Sequence, residues 1–152
     1  MMALVLLTIG STITISFGGW HLFVPVIWDW YSYFPSDASE LVVAVRAINI
    51  FFSFSLMMFG AIMLVFVYRK PVVAFYAKSI SISLSLLWGL RVATQLIWPQ
   101  GSMTPALQYG MLGVFILVFM LFVVSSCLIH QNHDSSVDKP VRHEQRVNDE
   151  RP

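Results

Sequence analysis

Two arginines, Arg46 and Arg91, stand inside long runs of the sequence that otherwise carry no charge. Ionisable side chains inside a membrane span are costly to bury, and they usually face the interior of a helix bundle. A guanidinium keeps its charge and offers a planar fork of donors to a carboxylate, phosphate or carbonyl oxygen. The pair therefore indicates a site for an anionic or carbonyl-bearing small molecule.

The two arginines are predicted to lie at a common depth. Arg46 follows the start of its run at Leu41 by five residues, which places it roughly 7 Å deep at 1.5 Å per residue. Arg91 precedes Trp98 by seven residues on a helix of the opposite direction, which places it roughly 10 Å deep. Both side chains then belong to the same leaflet, and we expect them to line one cavity.

Further polar residues fall near this level. Asn49 follows Arg46 by three residues and Gln95 follows Arg91 by four, which are spacings that share a helix face. His21 ends the first apolar run, and Gln108 opens the fourth. The candidate ligand-binding residues are therefore His21, Arg46, Asn49, Arg91, Gln95 and Gln108.

A purely structural role for the arginines stays open. Arg46 is close enough to the surface to extend its charge into the head groups, or to pair with Asp29 or Glu40. Arg91 could join helices through Asn49 or through backbone carbonyls. His21 by itself fits an interfacial structural histidine.

Other kinds of chemistry find little support in the sequence. No Asp or Glu falls within the predicted spans, so neither a carboxylate proton relay nor a di-metal bundle is expected. The single cysteine, Cys127, excludes an internal disulfide. The histidines of the C-terminal segment lack a metal-ligand spacing, and the net charge of +1 does not suggest a nucleic-acid partner. No catalytic or metal residues are predicted, and an independent enzyme is the least favoured class.

The elements that carry these residues are predicted to be four transmembrane helices. Hydrophobic residues make up 57% of the chain and charged residues 11%, against roughly 25% charged in soluble domains. A signal peptide is disfavoured, because no Lys or Arg precedes Arg46. Residues 79–86 alternate like a strand, but a lone strand cannot satisfy its backbone in lipid, so a helix is expected. The predicted all-α bundle has spans at about 2–20, 41–68, 79–98 and 105–129, followed by a disordered tail at 130–152.

Two stripes of small residues are predicted to face neighbouring helices, since small side chains allow helix backbones to approach closely. One stripe lies on the first span and the other on the third. Their members are Gly10, Thr14 and Gly18, and Ser81, Ser85 and Gly89.

Loop charges predict the orientation. All seven loop or tail Lys and Arg residues fall on one side, in the 68–78 loop and after 130, whereas the 29–40 loop has only acidic charges. The positive-inside rule makes the basic side cytoplasmic. Both termini are then cytoplasmic, and the arginine level lies in the outer leaflet.

Two short motifs resemble a known group. The pattern Gly18-x-x-His21-x-x-x-Pro25, followed by an aromatic loop with a proline, resembles the DoxX-like four-helix membrane proteins of bacteria. Trp88-x-x-Arg91-x-x-x-Gln95 is similar to a signature of uncharacterised bacterial membrane proteins of this size. The resemblance covers residues 1–129 and implies an inner-membrane protein. It also implies an association with quinone-linked or oxidative-stress oxidoreductase systems, to which some members of the family are attached. An acidic residue expected in the second helix is absent.

Three functions follow as expectations. The first is an accessory protein that binds a small ligand, a quinone head group or an anionic lipid, at the arginines. The second is a structural subunit or assembly factor of a larger oxidoreductase complex in the membrane. The third is a small-solute transporter, which would have to oligomerise. The expected partners are the lipid bilayer, other membrane subunits or further copies of the chain; no cofactor is required, and a quinone is the one candidate.

Overall fold

The computed structural model describes residues 1–68, 74–101 and 104–137, and these form four long helices with a short 3₁₀-helix at Trp30–Tyr33 between the first two. The all-helical prediction is confirmed, including the helix through the alternating segment 79–86. The helices α1 to α4 are Met2–Ile27, Ser39–Tyr68, Ala74–Ile97 and Pro105–Val137.

All four helices are longer than the predicted spans, and α1 and α4 exceed them most. The helix α1 continues through Gly18 and Gly19 and takes Pro25 into its last turn, because backbone groups near the membrane are best satisfied within a helix. The helix α4 continues to Val137, so residues 130–137 are helical rather than part of a disordered tail. Neither glycine nor proline interrupts that stretch. Residues 138–152 lie outside the described part of the chain.

Consecutive helices run antiparallel. Gly18 of α1 lies against Ser53 of α2, while Gly60 of α2 lies against Ser11 of α1, so one helix rises as the other descends. The helices α3 and α4 pack in the same way, and α1 also packs on α4. The helices α2 and α3 make far fewer contacts. A cleft is therefore left between α2 and α3, with α1 behind it.

Small residues face other helices, as predicted. The ring of Phe122 in α4 covers Gly10, and the ring of Phe119 covers Gly89. The Ser81 hydroxyl donates to the Phe122 carbonyl at 3.0 Å and accepts a bond from Ser126 at 2.9 Å. These contacts tie α4 to both α1 and α3.

An aromatic cluster lies at the centre of the bundle. Trp88 is only 1% exposed, and its indole N–H donates to the Thr14 hydroxyl at 3.2 Å. The rings of Phe17 and Phe115 meet edge to face at 5.3 Å, and both contact the indole of Trp88. This cluster joins α1, α3 and α4 just below the level of Arg91.

All four helices are long and apolar enough to cross a membrane. Large apolar side chains cover the outside of the bundle, which is the arrangement expected where lipid replaces water as the solvent. The chain is therefore a multi-pass membrane protein. Of the seven basic residues that predict its orientation, the structure describes only Lys78, so the orientation stays a prediction.

Candidate functional site

Arg91 lies one and a half turns before the end of α3, half-buried in the bundle. Its guanidinium donates to Gln100 Oε1, and its Cζ lies 4.7 Å from the centre of the Phe115 ring. Its Nε is buried and has no hydrogen-bond partner. Both contacts are with uncharged groups, so the contacts seen among the described residues leave the positive charge of Arg91 uncompensated.

Gln95 holds Gln100 in place. Its amide donates to the Gln100 carbonyl at 3.0 Å and accepts a bond from the Gln100 backbone N–H at 3.3 Å. Gln95 is 2% exposed whereas Gln100 is exposed, so this reciprocal pair is partly buried. The pair fixes the turn after α3 and aims the Gln100 side chain back at Arg91. Gln95 thus positions Gln100 instead of facing a ligand directly.

A cavity of about 250 Å³ opens beside Arg91 in the cleft between α2 and α3. Its walls are mainly aromatic and aliphatic, with a few polar groups gathered at the end where α3 meets its following turn. It is lined by Phe17, His21, Phe52, Leu56, Leu87, Trp88, Leu90, Arg91, Thr94 and Gln100.

His21 supplies the polar group that faces Arg91 from α1. Its Nδ1 lies 3.4 Å from the Ser53 hydroxyl, and its ring meets the Phe52 ring edge to face at 4.9 Å. Asn49 lies behind it and donates to the Leu22 carbonyl at 3.3 Å, while the Asn49 Oδ1 is buried without a partner. Asn49 therefore joins α1 to α2 and does not line the cavity.

The structure does not bring Arg46 to this cavity, so the expectation of a shared arginine site is wrong. Arg46 is exposed, and its Cζ lies 4.9 Å from the centre of the Tyr31 ring. Three residues turn a helix through about 300°, so Arg46 and Asn49 are some 60° apart. That offset is enough to bury Asn49 while Arg46 points outward. Gln108 is half-buried near the start of α4 and lines neither cavity.

A second, smaller cavity of about 100 Å³ adjoins the first at the same end of the bundle. His21 and Gln100 line both cavities and so form the partition between them. Three tryptophans contribute to its walls. It is lined by Trp20, His21, Val24, Trp28, Trp30, Gln100, Gly101, Leu107 and Met111.

Sequence reasoning found His21, Arg91 and Gln95 but missed Gln100 and the aromatic walls. Gln100 stands in a turn between Pro99 and Gly101, and turn residues carry no periodicity that would reveal where they point. The glycine is informative in hindsight, because its φ of +76° lets the chain reverse tightly after Gln100. The usable signal is a polar residue beside such a turn, nine residues after an arginine inside the preceding span.

No protein-family model matches the chain, and neither the curated proteins nor the solved structures contain a match. Within the described residues, no group of three or more His, Cys, Asp or Glu side chains is placed to hold a metal ion. The cavity offers hydrogen-bond donors, aromatic faces and one cation, which together suit binding of a ligand.

Proposed function

We propose that this protein is an accessory protein of the bacterial inner membrane that binds the polar head of a membrane-soluble molecule in the cavity beside Arg91. The proposal rests on the surroundings of the Arg91 guanidinium. A cation with uncharged partners and an unbonded Nε borders an open cavity. A buried donor without a partner costs free energy, and an acceptor oxygen of a ligand would remove that cost.

The size of the cavity favours a compact head group. A cavity of about 150 Å³ holds a benzene ring, so about 250 Å³ accommodates one substituted ring or one phosphate with its ester oxygens. A quinone carbonyl or a lipid phosphate would each accept from Arg91. His21 and Thr94 are then in position to contact the remaining polar atoms, while Phe52 and Trp88 cover the apolar faces.

Access to the cavity is from the lipid. Leu90 lines the cavity and yet is 64% exposed on the outer surface of α3, so the opening lies between α2 and α3. The other route, past the turn after α3, is obstructed by Gln100 and its bond to Arg91. A lateral opening is suited to a ligand that already resides in the bilayer, with its apolar chain left in the cleft.

Ligand-dependent stabilisation tests the proposal. The protein in an uncharged maltoside detergent is melted with a short-chain quinone, with an alkyl phosphate, and with neither. At about one hundred times Kd, the bound ligand should stabilise the wild type by about 2.7 kcal/mol. Arg91→Gln should remain folded and lose this response, because the amide is neutral and has no guanidinium fork.

Arg46→Gln is the matched control, since Arg46 lies at a similar level but outside the cavity. It should retain the full response to the ligand that stabilises the wild type. Absence of any stabilisation in the wild type, together with an unfolded Arg91→Gln protein, would leave Arg91 as a structural residue and refute the binding site. The quinone and phosphate arms decide between the two head groups.

A structural subunit or assembly factor is the second candidate, and α4 supplies its observation. Nothing lies within 4 Å of the positions that a Cβ would occupy at Gly110 and Gly113. This outward face of small residues would let another transmembrane helix approach closely. A subunit of an oxidoreductase complex, or a second copy of the chain, could pack there without obstructing the cleft between α2 and α3.

Cysteine labelling tests the proposed orientation. In a Cys127→Ser background, a cysteine at position 36 should react with an impermeant thiol reagent added to intact cells, because the acidic 29–40 loop is expected outside. A cysteine at position 136 should react only after the membrane is opened. The reverse pattern would place the cavity in the inner leaflet.

A further inference from the structure

The smaller cavity is lined by tryptophan rings, two of which lie nearly perpendicular to each other. The rings of Trp20 and Trp28 are 5.6 Å apart and nearly perpendicular, at 86°. Trp30 adds a third indole, and Leu107 and Met111 of α4 complete the apolar lining. Three indoles around one small space form an aromatic cage, which we define as Trp20, Trp28 and Trp30 with the cavity between them.

The backbone brings two of these indoles together across a single residue. Trp28 caps the C-terminus of α1 and Trp30 begins the 3₁₀-helix, and between them Asp29 adopts a left-handed conformation with φ of 48°. Positive φ is uncommon for a residue other than glycine. It turns the chain here so that the residues on both sides of Asp29 line the same cavity, and such conformations often occur at functional sites.

The charges at this end favour a cation in the cage. Indole faces carry negative electrostatic potential and attract cations, tryptophan most strongly. The 29–40 segment adds Asp29, Asp37 and Glu40 and contains no Lys or Arg. Arg91 does not line the cage; it lies beyond Gln100, which accepts its hydrogen bond. Arg46, which packs on the Tyr31 ring, does not line the cage either.

The kind of cation follows from the scarcity of acceptors. A primary ammonium has three N–H donors to satisfy, whereas the polar side chains lining the cage are His21 and Gln100, and the oxygen of Gln100 is already engaged by Arg91. A quaternary ammonium has no N–H and is recognised by aromatic faces. The volume of about 100 Å³ is below the roughly 150 Å³ that holds benzene, so the cage has room for one such group at most.

We propose that the aromatic cage binds the quaternary ammonium of a choline-type lipid head group. The cage lies where the helices end, which is the depth of the head groups and the usual place of interfacial tryptophans. Lipid is the source that the structure favours, since a head group at this depth reaches the cage while its chains stay on the lipid-facing surface. The inference does not rest on the Arg91 cavity, because the two cavities have separate walls apart from His21 and Gln100.

The test compares two lipids that differ only in three methyl groups. Short-chain phosphatidylcholine and phosphatidylethanolamine are titrated separately into the protein in maltoside, with native mass spectrometry and tryptophan fluorescence as readouts. The wild type should bind the choline lipid about tenfold more tightly, which is within the range of desolvated cation–π contacts. Trp30→Leu should reduce the preference to less than about twofold by removing one of those contacts.

Trp98→Leu is the matched control, because Trp98 is 72% exposed at the same end of the bundle and lines neither cavity. It should keep the full preference. Trp28→Leu serves as a second cage variant if Trp30→Leu does not fold. Equal binding of both lipids by the wild type, or an equal loss in Trp98→Leu, would overturn the cage. Free choline that binds as tightly as the lipid would overturn the lipid as its source.

Discussion

Alanine at Gly18 or Gly60 is expected to lower the free energy of unfolding by about 2 kcal/mol, within the range for overpacked cores. A Cβ at Gly18 would lie 2.8 Å from the Ser53 carbonyl oxygen, and a Cβ at Gly60 would lie 2.9 Å from the Ser11 carbonyl oxygen. These two oxygens are backbone atoms of the facing helix, and at Gly60 the Cγ1 of Ile15 would lie closer still, at 2.7 Å. The overlap with the added methyl group can therefore be removed only if α1 and α2 move apart along much of their interface.

Alanine substitutions at three other glycines are expected to have smaller effects on stability. Alanine at Gly89 would meet the Phe119 ring at 3.1 Å, a side chain that can shift, so a smaller loss is expected. Alanine at Gly110 or Gly113 meets nothing within 4 Å and should be neutral or stabilising, since alanine exceeds glycine in helix propensity by up to about 1 kcal/mol.

Denaturant unfolding or thermal melting in detergent measures the series. The expected order of stability places the Gly110 and Gly113 variants at or above the wild type and the Gly18 and Gly60 variants lowest. Equal stability of all the alanine variants would show that α1 and α2 do not approach as closely as the structure has them. The outward position of Gly110 and Gly113 would be contradicted if their variants were the least stable.

Trp88→Ala is expected to lower the free energy of unfolding by about 3 kcal/mol, at the lower end of the range for buried tryptophan. The loss is expected at the lower end of that range because the helices remain in an apolar solvent when they separate. The lost packing contacts then account for most of the destabilisation, and the hydrophobic effect contributes little. The indole is 1% exposed and packs on Phe17 and Phe115. Its removal also deprives the Thr14 hydroxyl of the N–H that it accepts.

Two further variants separate these contributions. Trp88→Phe keeps an aromatic ring and removes the N–H, so it should recover most of the lost stability. Trp98→Ala removes an indole of the same size that is 72% exposed, and it should change stability by less than about 0.5 kcal/mol, as for surface positions. A loss in Trp98→Ala as large as that in Trp88→Ala would mean that Trp88 is not the centre of the core.

The elements were predictable because the bilayer restricts the possible structures. A span needs about 20 apolar residues and must satisfy its own backbone, so four apolar runs lead to four helices. The same reasoning correctly overruled the strand-like alternation at 79–86, where the structure has α3. It failed at the ends of the helices, because an apolar run sets only the minimum length of a span and not the residue at which the helix stops: α1 passes its glycines, and α4 continues to Val137.

The level of the candidate site was also set by the sequence. Counting residues from the helix ends placed His21, Arg91 and Gln95 at one end of the bundle, and the structure has them there. The rise per residue is fixed by the helix, so depth can be read along a chain. The small-residue stripes were predictable for a similar reason, since a close approach between helices requires small side chains.

Only the tertiary structure decided which of these residues meet. Arg46 and Arg91 have similar depths, but the rotation of α2 about its axis turns Arg46 outward onto Tyr31, while Arg91 borders the cavity. Rotation is determined by the packing of all four helices, which no single segment contains. The cavity itself exists because α2 and α3 stay apart, and Gln100 reaches Arg91 because a left-handed glycine folds the following turn. Depth is a local property of one helix, whereas rotation, separation and the path of a turn depend on contacts between distant parts of the chain.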